Sequence, residues 1–383
     1  MTIKDLSLQY AKIEKNINSV NTYLYKNPEL GYEEFKSSKK IIDFLKKNVG
    51  IKDFKYFNDI PTAFVGQLNR KSKENISICI EYDALPGIGH ACGHNIISSI
   101  GLGAMYLLSK NKLNTGVNIV GCPAEEIIPL TFKNGGGGGK IKLIEKGVFK
   151  NTKAALMIHP ATRNEVDPLM IAVKQIDVEF HGKAAHASGS PYVGKNALDA
   201  QILAYNSISA LRQQLKSTEK VHGIITDGGD SANIIPDFTR SSWMIRAQKT
   251  QELKKLETKI IKCFKSAGLA TGCEVNIIEG NGIYENLVTD KKLASIFTKY
   301  SKDLGIDMKT NKAFDQSKNG STDFGNISKL IPSLHSFLAI VPDDGSVVNH
   351  QPEFADATLT TAAKETIKNG SILLAATVLE LQN

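Results

Sequence analysis

The strongest constraint on this chain is a repeated local pattern. Short β-rich runs, AFVGQL (63–68), ISICIEY (76–82), VNIVGC (117–122) and AALMIH (154–159), each give way to a segment of unusual chemistry. Helical stretches, IISSIGLGAMYLLSK and KIKLIEKGVF, lie between them. Alternation of apolar strands with helices predicts an α/β/α sandwich. In such folds ligands gather at the carboxyl ends of the strands. Upstream, LSLQYAKIEKNINSVNTYLY and EEFKSSKKIIDFLKKN read as helices, the first broken by NPEL and the second stopped by Gly50.

From about residue 172 the pattern changes. IAVKQIDVEF, VHGIITD, TRSSWMIRA and CEVNIIEG read as strands, and NALDAQILAYNSISALRQQL and TQELKKLETKIIKCFKSAG as helices. Their order, β-α-β-β-α-β, is the ferredoxin-like unit. At 383 residues the chain is long enough for two domains. The expectation is a discontinuous α/β domain, 1–172 plus 286–383, interrupted by a small α/β insert at 173–285. A buried strand, LHSFLAIV, and a terminal helix, TLTTAAKETIKNGSILLAATVLEL, complete the first domain.

The net charge of +8 and pI near 9.0 raise nucleic acid or an acidic surface as partners. Only Arg70, Arg163, Arg212, Arg240 and Arg246 are arginine, and the lysines are scattered without a dense run, so no nucleic-acid partner is expected. No membrane partner is expected either: the longest apolar stretch, 96–108, is too short for a bilayer. The start, MTIKDLSLQYAKIEK, has no apolar core of signal-peptide type, and the expected location is the cytoplasm. Five cysteines at irregular spacing do not suggest a disulfide framework.

Four clusters carry candidate chemistry. In GHACGHN, Cys92 and His94 are one residue apart, and an extended segment would turn both side chains the same way, onto one metal or across two. A buried free thiol beside a core histidine is the bland alternative. In CPAEE, Glu125 and Glu126 are adjacent at a strand end, where burial without a cation is costly. One can ligate metal while the other acts as general base; a solvated acidic turn is the alternative. His159 in MIHP and His350 in NHQPEF lie at further strand-to-loop junctions. Together the clusters supply sulfur, nitrogen and oxygen donors suited to zinc or a similar transition metal. Asp83 in EYDALP is a candidate to hold the second ring nitrogen of a ligand histidine, or a turn aspartate before Pro86. NGGGGGK (134–140) is not a phosphate loop, because Ile141 stands where Ser or Thr is needed.

The run EYDALPG…HACGHN, GCPAEE…GGGGGKIKLIEKG and MIHP resembles the aminoacylase/carboxypeptidase family of co-catalytic metallopeptidases, metallopeptidase family twenty. CGHN, GKIKLIE and STDFGN are similar to the amidohydrolase branch, nearest the aminobenzoyl-glutamate hydrolase and β-alanyl/basic dipeptidase subgroup. The resemblance spans almost the whole chain. It implies two divalent ions per chain, zinc favoured and manganese or cobalt as alternatives. Cys92 would bridge them, with His94, Glu126, His159 and His350 completing the shells and Asp83 behind them. Glu125 would be the general acid/base in hydrolysis of an amide in a small carboxylate-bearing substrate, a dipeptide or N-acyl amino acid. The insert would be a lid and dimerisation domain of a homodimer, with His186, Asn233 and Arg246 binding the substrate carboxylate or developing oxyanion, often from the neighbouring subunit. Arg246 carries extra weight because arginine is scarce and its planar fork suits a carboxylate. For His186 and Asn233 the alternatives are a surface histidine and a turn residue. The loop 319–326 is expected to line the substrate end.

Two positions depart from that pattern: Asn95 stands where much of the branch has Asp, and Glu81 where it has Asp. An aminobenzoyl-glutamate amidohydrolase, a non-catalytic metal- or ligand-binding protein on the same fold, and a redox protein using Cys92 are the competing readings.

Overall fold

The computed structural model describes residues 2–126, 137–280, 282–310 and 320–382. Residues 134–136 of the glycine run and residue 319 lie outside that set. The larger sheet comprises β1 (Phe54–Tyr56), β2 (Phe64–Leu68), β3 (Asn75–Glu81), β4 (Gly116–Cys122), β5 (Thr152–Ala161) and, late in the chain, β10 (Ser333–Ala339). Its order is β1-β2-β4-β3-β5-β10. β4, β3, β5 and β10 run parallel, and β1 and β2 add an antiparallel edge. β3 and β4 are buried at every position, which explains why they read as continuous apolar runs. The short edge strand β1 is absent from the sequence reading: three residues with an exposed Lys55 carry no alternation to detect.

Side chains alternate between two cores across this sheet. Ile76, Ile78 and Ile80 of β3 join the core beneath helices Glu14–Lys26, His94–Ser109 and Thr361–Leu381, while Cys79 joins the core beneath Gly139–Glu145 and Phe324–Ser328. That is a three-layer α/β/α sandwich. Helix His94–Ser109 approaches very closely: a Cβ on Gly101 would meet Ile80 Cγ2 at 2.2 Å, and one on Gly103 would meet Ser371 Oγ at 2.1 Å. Glycine interrupts an otherwise apolar helix there because only its absent side chain lets the helix touch the strand on one side and the helix Thr361–Leu381 on the other.

The smaller sheet comprises β6 (Ala172–His181), β7 (Lys220–Asp227), β8 (Phe238–Ala247) and β9 (Glu274–Glu279), antiparallel in the order β7-β8-β6-β9. Helices Ala197–Leu211 and Thr250–Thr271 complete the β-α-β-β-α-β order. β8 alternates strictly: Thr239, Ser241, Trp243, Ile245 and Ala247 are buried, and Arg240 and Arg246 share the opposite face. Trp243 anchors this separate core, its ring 5.4 Å from that of Phe264 and its indole N–H donating to Ser241 Oγ at 2.8 Å.

Candidate metal centre

The parallel strands deliver the chemistry at one end of the large sheet. β3 ends at Glu81 and runs into Asp83; β4 ends at Cys122 and runs into Glu125 and Glu126; His159 lies near the end of β5. The loop after β10 returns His350, whose amide donates to Ala91 O at 2.9 Å. At the site two of the protein's left-handed non-glycine residues occur, Ala124 at φ +53° and His350 at φ +71°. Such conformations cost about 1–3 kcal/mol each and persist where the surroundings dictate them.

The Cys92–His94 pair is not extended, as its spacing suggests it should be. Gly93 is left-handed at φ +86°, and His94 is the first residue of a helix. A Cβ on Gly93 would stand 2.5 Å from Pro160 Cγ. The two side chains still converge, but through a tight turn packed on β5.

Cys92, His94 and His159 place their donor atoms within 4.8 Å of one another, and so do Cys92, Glu126 and His350. Cys92 belongs to both groups. Its Sγ lies 3.5 Å from His159 Nε2, and His350 Nε2 lies 3.4 Å from Glu126 Oε1. Glu125 stands beside them, its Oε2 3.8 Å from His94 Nε2. Asp83 organises both groups: Oδ1 meets His94 Nδ1 at 2.9 Å, and Oδ2 accepts the Glu126 amide at 2.9 Å. His159 Nδ1 lies 2.7 Å from Pro160 O, so that nitrogen carries the proton. Both imidazoles therefore present Nε2 to the shared space.

His94 Nε2 and Glu126 Oε1 are buried and have no hydrogen-bond partner. Orphaned buried donors and acceptors are rare in folded proteins unless an ion or ligand completes them. The electrostatics agree. Burial, then Glu81 and Glu126, pushes the Glu125 carboxyl well above the usual range. Burial also raises Glu126, against the pull of His94 and His350, and raises the Cys92 thiol. Burial disfavours charge on His94, yet Asp83, Cys92 and Glu81 outweigh it and raise its pKa. Burial drives His159 down to about 3. Acidic groups crowd here and push one another's pKa values up, and divalent cations fit this donor set of sulfur, nitrogen and oxygen.

A second feature escapes the sequence reading. Lys140, fully buried, lies 2.6 Å from Glu81 Oε1 and also contacts Asp323 Oδ1, while its amide donates to Asp323 Oδ2 at 2.8 Å. Burial would raise Glu81, but Lys140, His94 and His159 hold it at about 2; burial carries Asp323 to about 6. Glu81 Oε2 is in turn 3.4 Å from His94 Nε2. This internal ion triad joins the end of the glycine run and the 320–326 loop to the base of the site. The available signal was a glutamate ending an apolar strand. Asn95, the other departure, donates to Thr358 Oγ1 at 2.9 Å and ties two helical segments together.

The insert residues lie apart from this cluster. His186 and Asn233 are exposed on facing loops, joined by the Ala187 amide donating to Asn233 O at 3.0 Å. His186 Nδ1 accepts the amides of Ser188 and Gly189 at 3.3 and 3.1 Å, which leaves Nε2–H as a free-facing donor. Asn233 Oδ1 accepts the Ser231 hydroxyl at 2.6 Å. Arg246 donates to Ser321 Oγ at 3.1 Å, linking the small sheet to the 320–326 loop, and has no carboxylate partner among the described residues. Neither His186 nor Asn233 bonds to the metal-centre residues among those described.

The chain is 35% identical over 382 residues to the Xaa-Arg dipeptidase of Mus musculus, covering 96% of this chain and 86% of that protein. Residues 173–271 match the peptidase dimerisation domain. The chain belongs to the M20 peptidase family. This M20 peptidase is also 30% identical over 271 residues to one of the subunits of p-aminobenzoyl-glutamate hydrolase from Escherichia coli strain K12, covering 65% of this chain and 54% of that one. Among solved structures, a dinuclear metal-binding M20 peptidase of Bacillus subtilis shares the fold at a TM-score of 0.66 and 21% identity, covering 95% of this chain and 99% of that one. As an M20 peptidase the chain is a hydrolase. None of its described helices is long and apolar enough to cross a membrane.

Proposed function

We propose that this M20 peptidase hydrolyses the amide bond of a dipeptide or N-acyl amino acid bearing a free carboxylate, with two divalent metal ions. The observation that carries the proposal is the pair of three-residue donor groups sharing Cys92, with Glu125 alongside. Cys92, His94 and His159 would hold one ion, and Cys92, Glu126 and His350 the other. Zinc suits the thiolate and imidazoles best, with manganese or cobalt as substitutes. Two such ions would polarise the scissile carbonyl and acidify water.

Glu125 has the work of a proton carrier. Its buried carboxyl, pushed up by burial and its anionic neighbours, would take a proton from the attacking water and return it to the departing amine. Arg246 lacks a carboxylate of its own among the described residues, and its fork suits the carboxylate of a substrate. The outward Nε2–H of His186 and the amide of Asn233 suit a developing oxyanion or that same carboxylate, supplied from a second copy of the chain. A homodimer is supported by β7, the free edge of the small sheet, which exposes Ile224 and Ile225, and by helix Ala197–Leu211, which exposes Ile202 and Leu203.

The identity to the Xaa-Arg dipeptidase favours a dipeptide ending in a basic residue as substrate. The match to the aminobenzoyl-glutamate hydrolase supports a second candidate, an aroyl-glutamate amide. The test is turnover of purified protein on Xaa-Arg and Xaa-Lys dipeptides, N-acyl amino acids and p-aminobenzoyl-glutamate, before and after chelation. Chelator-sensitive release of a basic amino acid is expected. Release of glutamate alone would favour the second candidate, and no release from any of them would remove the hydrolytic proposal.

A further inference from the structure

The segment NPELGYEE (27–34) supplies no candidate ligand, yet it touches both turns that carry the site's carboxylates. Glu34 is fully buried. Its Oε1 accepts the Ala124 amide at 2.9 Å, and its Oε2 accepts the Thr62 hydroxyl at 2.7 Å. Ala124 is the left-handed residue immediately before Glu125. Gly31 lies against it so closely that a Cβ there would come 2.8 Å from Ala124 Cβ. The same segment reaches the other turn, where the Ala84 amide, next to Asp83, donates to Glu29 O at 2.8 Å.

A left-handed alanine is unfavourable unless neighbours dictate it. Other contacts also bind the turn: Ala124 O accepts the Gly138 amide at 2.9 Å, Glu125 O accepts the Tyr284 hydroxyl at 2.9 Å, and Asp83 Oδ2 accepts the Glu126 amide at 2.9 Å. The first two grip carbonyls and the third an amide two residues further on, none of them the Ala124 amide. Glu34 is the side chain that takes the Ala124 amide and so decides which way that peptide faces. We propose that Glu34 is a positioning residue: it locks the Ala124 peptide in the left-handed conformation that aims Glu125 and Glu126 into the metal centre. The proposal rests on the hydrolase function proposed above. Burial, followed by the nearby Asp83, raises the Glu34 carboxyl to about 8, so a neutral amide is a fair mimic of it. A glutamine can accept from Ala124 through its oxygen and donate to Thr62 through its nitrogen.

The test compares Glu34→Ala, Glu34→Gln and Thr62→Val with wild type, each loaded with cobalt(II). Cobalt absorption reports ligand geometry without turnover, so it remains readable if no substrate is cleaved and the hydrolase proposal fails. Glu34→Ala is expected to alter the cobalt spectrum and lower kcat by about 100-fold, with KM changed far less, as a catalytic group displaced by about 1 Å does. Glu34→Gln is expected to keep the wild-type spectrum and most of kcat. Thr62→Val, which frees only one oxygen of Glu34, should lower kcat by about fivefold, the value of one lost hydrogen bond. A folded Glu34→Ala protein with wild-type spectrum and kcat would overturn the proposal, as would Glu34→Gln behaving like Glu34→Ala. If Glu34→Ala does not fold, Thr62→Val decides: an unchanged spectrum and kcat would equally overturn it.

Discussion

The two sheets break the usual rules of burial in opposite directions. At the end of the large sheet, Glu81, Asp83, Glu125, Glu126, Asp323 and Lys140 are all buried. On the small sheet, Ile224 and Ile225 stand exposed along an edge strand. Buried charge is costly unless paired or neutralised, and exposed apolar edges invite association. Each violation points to a partner that the isolated chain does not contain: cations for the first, a second copy of the chain for the second. A position that contradicts its environment is therefore more informative than one that agrees with it.

The contrast can be broken most severely at Glu125. Glu125→Gln should retain the metals and lose about 10²–10⁴-fold in kcat, the usual contribution of a general acid/base. A variant keeping more than about a tenth of wild-type turnover excludes the assignment. Next comes Lys140→Met, which leaves Glu81 and Asp323 without their internal cation. Thermal or denaturant unfolding should show a loss of about 3–5 kcal/mol. A near-neutral result would mean that the two carboxylates find compensation elsewhere. On the small sheet the expected effects are milder. Arg246→Ala should raise KM by about tenfold or more with a smaller change in kcat, as when a charge-assisted hydrogen bond to substrate is removed. An unchanged KM takes Arg246 out of substrate binding. Ile224→Lys should leave the fold intact and shift sedimentation from dimer toward monomer, whereas a wild-type sedimentation profile would place the interface elsewhere.

The two regions also differ in how far their sequences reveal them. The ferredoxin-like order of the insert is legible because its two helices are long and its strands are separated by clear turns, with β8 alternating strictly around Trp243. The parallel strands of the large sheet are legible as apolar runs, and their carboxyl ends mark the chemistry in advance. Local geometry is less accessible. The spacing of Cys92 and His94 suggests an extended pair, but Gly93 turns the chain and His94 opens a helix. The ion triad of Glu81, Lys140 and Asp323 is invisible because its members come from three distant segments, and no local spacing relates them. Lys140 draws notice for the phosphate loop it fails to make and for its place in GKIKLIE, neither of which points to an ion pair. Glu34 is hidden for a similar reason: its partners Thr62 and Ala124 meet only in the folded protein.

On this reading the carboxylates, Cys92 and the imidazoles of the site would hold two cations that the reaction needs. The direct measurement is metal content per chain by elemental analysis, for wild type and Cys92→Ser, with amide hydrolysis followed through chelation and readdition of zinc. About two metals per wild-type chain are expected, with turnover lost on chelation and restored by zinc, and clearly lower content in Cys92→Ser. A folded wild-type protein that hydrolyses its substrate while metal-free, or a Cys92→Ser protein with undiminished metal, would contradict the account.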